Sequence, residues 1–129
     1  MELDPAYSEA RLMLGVLQWT SRSFGLAADS LERALSEKPE LMDLRTAAIL
    51  GSAYLFENDI PRGEAFFRLL MEKNGSTPEV LFSLALLLQG AEKQREAEEM
   101  MDLAAKAFGE DGEMTSYARS ILDDWAATK

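Results

Sequence analysis

The chain has 129 residues, 47% of them apolar and 28% charged, which is the length of one domain with enough hydrophobic content for a single core. A formal net charge of −10 repels phosphate backbones and anionic lipid, so neither nucleic acid nor a membrane surface is an expected partner. The absence of cysteine and histidine excludes disulfides, thiol nucleophiles, Cys/His zinc sites and imidazole acid–base catalysis.

Taken in chain order, the helix signals divide the sequence into seven elements. Asp4 and Pro5 read as an N-cap and a first-turn proline, predicting a helix to about Thr20. Ser21-Arg22-Ser23 breaks it, and a second apolar-periodic run goes from Phe24 to about Lys38, stopped by Pro39. A third helix is expected from about Asp43 to Phe56. Asp59 is the expected cap of a fourth, with Pro61 in its first turn and Asn74-Gly75 at its end. Thr77-Pro78-Glu79 opens a fifth that closes near Gly90. A sixth runs from about Lys93 to Phe108 and stops at Gly109, and a seventh covers about Glu113 to Ala127. No stretch alternates with period two for long enough to predict a strand. Very short turns imply antiparallel neighbours.

The segments are one unit written three times. An offset of 34 relates Leu50 to Leu84, Gly51 to Ala85, Tyr54 to Leu88, Gly63 to Ala97, Phe67 to Met101, Leu70 to Ala104 and Gly75 to Gly109. An offset of 36 relates Leu14 to Leu50, Gly15 to Gly51, Ala27 to Gly63 and Leu31 to Phe67, placing two extra residues near Leu41-Met42. Gly15, Gly51 and Ala85 on the first helix of each unit, with Ala27, Gly63 and Ala97 on the second, mark the expected closest approach within each pair. Leu31, Phe67 and Met101 fill the space one turn later.

This pattern resembles the tetratricopeptide repeat (TPR), a 34-residue helix-turn-helix unit. Leu31 to Pro39 is similar to the usual end of such a unit, although Arg11, Ala47 and Gln94 replace the large residues common at their places. The resemblance implies an all-α, right-handed α-solenoid of repeats at about 8–41, 44–77 and 78–111. A capping helix at about 113–127 turns Met114, Tyr117, Ala118, Ile121, Leu122 and Trp125 inward.

The resemblance also implies a concave groove formed by the first helix of each repeat. Its positions carry over to Glu9, Leu12, Val16 and Trp19, then Arg45, Ala48, Ser52, Leu55 and Phe56, then Glu79, Phe82, Leu86 and Gln89. Of these, Leu12, Val16, Trp19, Arg45, Ser52, Leu55, Phe56, Phe82, Leu86 and Gln89 are the candidate partner-binding residues. Leu14, Leu50, Tyr54, Leu81, Leu84 and Leu88 are expected in the core instead. Exposed aromatic and aliphatic side chains together mark a protein-binding surface. TPR domains that bind chaperone C-termini clamp two carboxylates with Lys, Asn and Arg. Here those places read Leu12, Val16, Ile49, Glu79 and Ser83, so no EEVD-type tail is expected to bind.

Carboxylates are the only plentiful catalytic candidates. Glu96, Glu98, Glu99 and Asp102, interleaved with Arg95 and Lys106, read as a solvated helix face, and Glu110, Asp111 and Glu113 form no EF-hand loop. Neither a phosphate-binding glycine loop nor a nucleophile motif is present. The expectation is a non-enzymatic protein without metal or cofactor. The Met1–Pro5 start has no signal-peptide character, and the apolar stretch from Val80 to Leu88 is too short to span a bilayer, so a cytoplasmic location is expected. In size, charge and layout the chain is similar to the small TPR chaperones of bacterial type III secretion. That resemblance implies a chaperone or adaptor holding a helix or extended segment of another protein, in a heterodimer. The alternative is a self-associating scaffold, a homo-oligomer without a dedicated client.

Overall fold

Seven α-helices connect in series in the computed structural model, which describes residues 5–109 and 112–127. They are α1 (Pro5–Thr20), α2 (Phe24–Glu37), α3 (Leu44–Phe56), α4 (Ile60–Asn74), α5 (Pro78–Gly90), α6 (Gln94–Phe108) and α7 (Glu113–Ala127). Among the described residues there is no strand, and no helix is long and apolar enough to cross a membrane. The expected cap Asp4 and the acidic pair Glu110 and Asp111 lie outside the described residues. Successive helices form three hairpins, with α7 packed on α6 at the end of the stack.

The three hairpin turns are copies of one another. The second residue after each first helix has a left-handed backbone: Arg22 at φ 65°, Asn58 at 56° and Glu92 at 64°. The next N–H reaches back five residues, from Ser23 to the Gln18 carbonyl (2.8 Å), Asp59 to Tyr54 (2.9 Å) and Lys93 to Leu88 (2.9 Å). These are Schellman closures, which satisfy carbonyls that the helix end leaves free. The connections between hairpins differ. Gly75 (φ 87°) and Gly109 (φ 104°) end α4 and α6 with positive φ, which glycine adopts without steric cost. After α2 the same place holds Pro39, which begins a short 3-10 turn, Pro39–Leu41, accommodating the two extra residues. Asp43 then caps α3, accepting a hydrogen bond from the Thr46 amide at 2.7 Å. Asp59 occupies the expected cap of α4, but its side chain makes no capping bond.

Burial follows from which helices are sandwiched. α3 and α5 lie in the middle of the stack and are apolar on most of their faces. In α5 the run from Val80 to Ala85 is buried without a break. The peripheral α2 and α6 bury one stripe each: Ala27, Ala28, Leu31, Ala34 and Leu35 in α2, and Ala97, Met101, Ala104 and Ala105 in α6. Leu31, Phe67 and Met101 are fully buried, as expected of the bulky position one turn past the small one, and each contributes about 1.5–3 kcal/mol. Two clusters result, one around Leu31, Leu50, Tyr54, Phe67 and Leu87, the other around Phe82, Ala85, Met101 and Ala118.

Polar ties run between the hairpins. Arg62 on α4 reaches Glu32 (2.9 Å) and Asp29 (2.5 Å) on α2, and the buried Tyr54 hydroxyl donates to Glu32 at 2.6 Å. Lys93 reaches Glu64 on α4 at 3.0 Å, and Arg119 on α7 reaches Asp102 on α6 at 2.5 Å. Such partly exposed pairs are worth about 0–1 kcal/mol each, so they align the helices more than they hold them together.

Three expectations are corrected. Leu14 is 48% exposed rather than core, because among the described residues no element packs on the outer side of α1. Phe82 is only 6% exposed rather than open to a groove, because α7 covers it: its ring stacks on Tyr117 (5.8 Å) and meets Phe108 edge-on (6.2 Å). Gly51 is not a close-contact glycine. A Cβ built on Gly15 would come within 2.7 Å of Leu31, and one on Gly63 within 2.4 Å of Tyr54, but one on Gly51 meets nothing within 4 Å. The Tyr54 ring sits against Gly63, where the first and third units have Gln18 and Leu88, and α4 leans more on α5 than on α3.

Candidate functional site

The first helices of the hairpins, α1, α3 and α5, supply the surface on which the candidate residues lie. α1 is bound to α2 at both ends of its charged stretch: Ser8 and Arg11 reach Glu37, and Lys38 reaches Glu9 at 2.8 Å. Glu9, one of the groove positions, is therefore already paired. Leu12 and Val16 are half-buried and pack against the first core cluster, so they form the floor of the α1 side rather than free contacts. Trp19 is also half-buried, and its indole N–H donates to Ser52 Oγ on α3 at 2.8 Å. Ser52 in turn donates to the Ile49 carbonyl at 2.8 Å. That chain of bonds fixes α1 to α3 and uses both polar partners of Ser52.

Two open apolar areas remain. Between α3 and α5 lies a cavity of about 140 Å³, bordered by Ala48, Gly51, Leu55, Leu86 and Leu87. Leu55 (43% exposed) and Leu86 (37% exposed) form its outer wall, and Leu55 leans over the end of α5, where a Cβ on Gly90 would come within 2.9 Å of Leu55 Cδ2. At the turn side, Phe56 is 65% exposed and stacks on Phe24 at 4.6 Å. With Trp19, Thr20 and Arg22 this pair borders a wider depression of about 390 Å³.

The structure therefore divides the ten candidates. Leu55, Ser52 and Leu86 meet at the α3–α5 seam, and Trp19 and Phe56 meet at the lip. Arg45 and Gln89 are exposed at opposite ends of their helices, while Phe82 is enclosed under α7. Sequence reasoning missed Gly51 and Leu87 at the seam and Phe24 at the lip. The signal for Gly51 was Tyr54, whose bulk beside Gly63 distinguishes this unit from its neighbours. A further apolar area lies outside the groove, on the outer side of α1 and the start of α2, where Tyr7, Met13, Leu14, Leu17 and Leu26 are each between 48% and 66% exposed.

The five positions of the tail clamp carry no cation. Leu12 and Val16 are half-buried, Ile49 and Ser83 are buried, and Glu79 is acidic. Among the described residues no group of three or more acidic side chains is placed to hold a metal. Trp125 on α7 is partly buried and packs against both core clusters.

No protein-family model and no curated protein matches the sequence. Solved structures do match the fold. The first TPR domain of Spaghetti (RPAP3), solved bound to the HSP90 peptide SRMEEVD, is similar with a TM-score of 0.69 at 16% identity, over 98% of both chains. The Sgt2 TPR domain from Aspergillus fumigatus is similar with a TM-score of 0.69 at 14% identity, over 91% of this chain and 77% of that one. The fold is that of TPR domains, an all-helical solenoid of helix-turn-helix hairpins.

Proposed function

We propose that the chain is a protein-interaction module that holds a helix or extended segment of a partner in its groove, as a secretion-type chaperone or adaptor. The observation carrying this reading is the apolar surface left open along α3 and α5, at Leu55, Phe56 and Leu86. Exposed apolar area of this kind marks partner sites, and an amphipathic helix laid into such a groove is a recurrent binding mode. The similarity in fold to a TPR domain solved with a bound peptide supports it. The partner differs from that peptide, because the clamp positions here supply no cation. Titration with SRMEEVD is expected to give no binding, and micromolar affinity would overturn that part. The wider reading is tested by panning a random peptide display library on the chain. It predicts enriched peptides whose binding Leu86→Glu and Phe56→Glu abolish while helicity is kept. Binding indifferent to both substitutions places the site elsewhere.

Self-association is the second reading, favoured by the outer face of α1. That helix carries only Glu9 and Arg11 as charges, both engaged with α2, so its outer side is uncharged on a chain of net charge −10. Two acidic copies repel least across such a face. Sedimentation velocity on the isolated chain decides: a dimer that Leu17→Glu dissociates supports the scaffold, and a monomer at about 100 μM removes it.

A further inference from the structure

The cavity at Gly51 contains a glycine that neither packing nor backbone geometry requires. Gly51 lies inside α3, where glycine costs roughly 0.5–1 kcal/mol relative to alanine. Its φ is not positive, and an added Cβ would meet nothing within 4 Å. Yet Gly51 is itself buried, in the wall of a recess that stands open beside it. Gly15 and Gly63 have neighbours that exclude a Cβ; Gly51 has space for one.

We infer that this recess is an anchor pocket for one bulky apolar side chain, of leucine, methionine or phenylalanine size, carried by a basic segment of a partner polypeptide. The inference rests on the groove reading above and names the chemistry that the groove selects. Size sets the first limit. About 140 Å³ is close to the apolar cavity of about 150 Å³ that takes up benzene, so it suits one side chain and is several times too small for a lipid tail. The lining sets the second. Ser52 Oγ is engaged by Trp19 and Ile49, and Ser83 Oγ is buried behind the lining, so the walls offer an occupant mainly methyl and methylene groups. With no Cβ at Gly51, an anchor can approach the α3 backbone closely, as a larger residue there would prevent.

Charge sets the third limit. The turn ends of α3 and α5, beside Leu55 and Gln89, carry the exposed Asp59 and Glu92, and Glu57, whose Oε1 accepts from the Gly25 amide at 2.9 Å, on a chain of net charge −10. A segment that seats its anchor between Ala48 and Leu86 and continues towards the turns meets these carboxylates, so lysine or arginine on that flank is favoured. Screening makes this contribution salt-dependent, whereas the anchor's is not.

The probe is a library of random 12-residue peptides displayed on phage and panned on the full chain. The expected enriched sequences share one large apolar position and a basic flank. The best peptide, synthesised, is titrated against the wild type, Gly51→Ala and Gly51→Leu, with helicity and Tm recorded for each. Gly51→Leu is expected to fill the recess and weaken binding at least tenfold with Tm unchanged or raised. Replacing the peptide's anchor with alanine is expected to cost the same on the wild-type protein, and to cost little more on Gly51→Leu. If Gly51→Leu fails to fold, the anchor-to-alanine peptide on the wild type remains decisive. Peptides that bind, depend on Leu86 and Phe56, but tolerate both Gly51→Leu and loss of their apolar position overturn the pocket and leave the groove standing. A library that yields no binder, or only binders indifferent to Leu86→Glu and Phe56→Glu, overturns the groove and the pocket with it.

Discussion

Tyr54 lies directly against Gly63, so that a Cβ built on Gly63 would come within 2.4 Å of Tyr54 Cδ2 and 2.6 Å of Leu87 Cδ2. The Tyr54 ring is fixed on its other sides by the edge of Phe67 at 5.9 Å and by the hydrogen bond to Glu32. It has no room to move aside. Gly63→Ala is expected to destabilise the chain by about 1–3 kcal/mol despite alanine's better helix propensity. Gly51→Ala, one helix away, is expected to stabilise it by about 0.5–1 kcal/mol. Urea denaturation of the two variants checks the sign, and equal shifts would contradict the contrast.

The left-handed residues in the three turns make a second prediction. Asn tolerates that conformation, while Arg and Glu are held in it at about 1 kcal/mol each. Arg22→Gly and Glu92→Gly should therefore each raise stability by about 0.5–1 kcal/mol, and Asn58→Gly should change it by less. A loss of stability in the first two would show that their side chains contribute more than their backbone strain costs.

Ser83 and Tyr54 are buried hydroxyl residues with opposite expected outcomes. Ser83 Oγ has no hydrogen-bond partner among the described residues, so Ser83→Ala relieves a buried unsatisfied group and should leave stability equal or higher by about 1 kcal/mol. Tyr54→Phe removes a bond to a carboxylate and should lower it by about 1–2 kcal/mol. Thermal melts of both variants provide the comparison.

Stability should be flat between about pH 6 and 9, since the chain has neither histidine nor cysteine. On the acid side, burial opposes ionisation of Glu64, but hydrogen bonds from Lys93 and Arg68 outweigh it and lower its pKa. Asp102 is lowered by its hydrogen bonds to Lys106 and Arg119. Depressed carboxylates stabilise fully above their unfolded values of about 4, and this is lost as pH falls through the folded values. On the alkaline side Tyr54 is raised, first by burial and then by its bond to Glu32, and Lys38 is raised by its bond to Glu9. Their contributions are complete below about pH 10 and lost above it. Urea midpoints from pH 3 to 11 test the plateau and both flanks.

Among the groove residues, substitution should separate two kinds of site. Phe82→Glu places a charge in the space between Tyr117 and Phe108 and should cost about 3 kcal/mol or more, undocking α7. Leu86→Glu and Arg45→Glu change exposed positions and should alter stability by less than about 1 kcal/mol. Circular dichroism melts distinguish them before any binding is measured.

The helices and their order were legible because each boundary carries a local signal: Pro39, Asp43, Gly75 and Gly109 act through their own backbone and side-chain chemistry. The repeat register was legible because the small and bulky positions recur at fixed offsets. What the sequence hid depends on neighbours distant in the chain. The 34-residue offset makes Gly51 equivalent to Ala85, yet Ala85 is fully buried while Gly51 borders an open recess. Phe82 has the same repeat position as the half-buried Leu12 and the exposed Ala48, but α7 follows it where a further repeat would otherwise stand. Leu14 matches Leu50 in sequence, but among the described residues no element covers its side of α1.

The chain has two tryptophans, and the fold puts one near each end of the stack: Trp19 hydrogen-bonded across α1 and α3, and Trp125 on α7 against the core. Repeat arrays hold together through neighbour contacts, so their ends loosen independently when the interfaces between units are weak. The two indoles are therefore separate optical reporters. In a Trp125→Phe background the remaining emission follows the lip of the groove, and in a Trp19→Phe background it follows the docking of α7. Where the two unfolding curves diverge, they give the coupling along the solenoid axis without any added label.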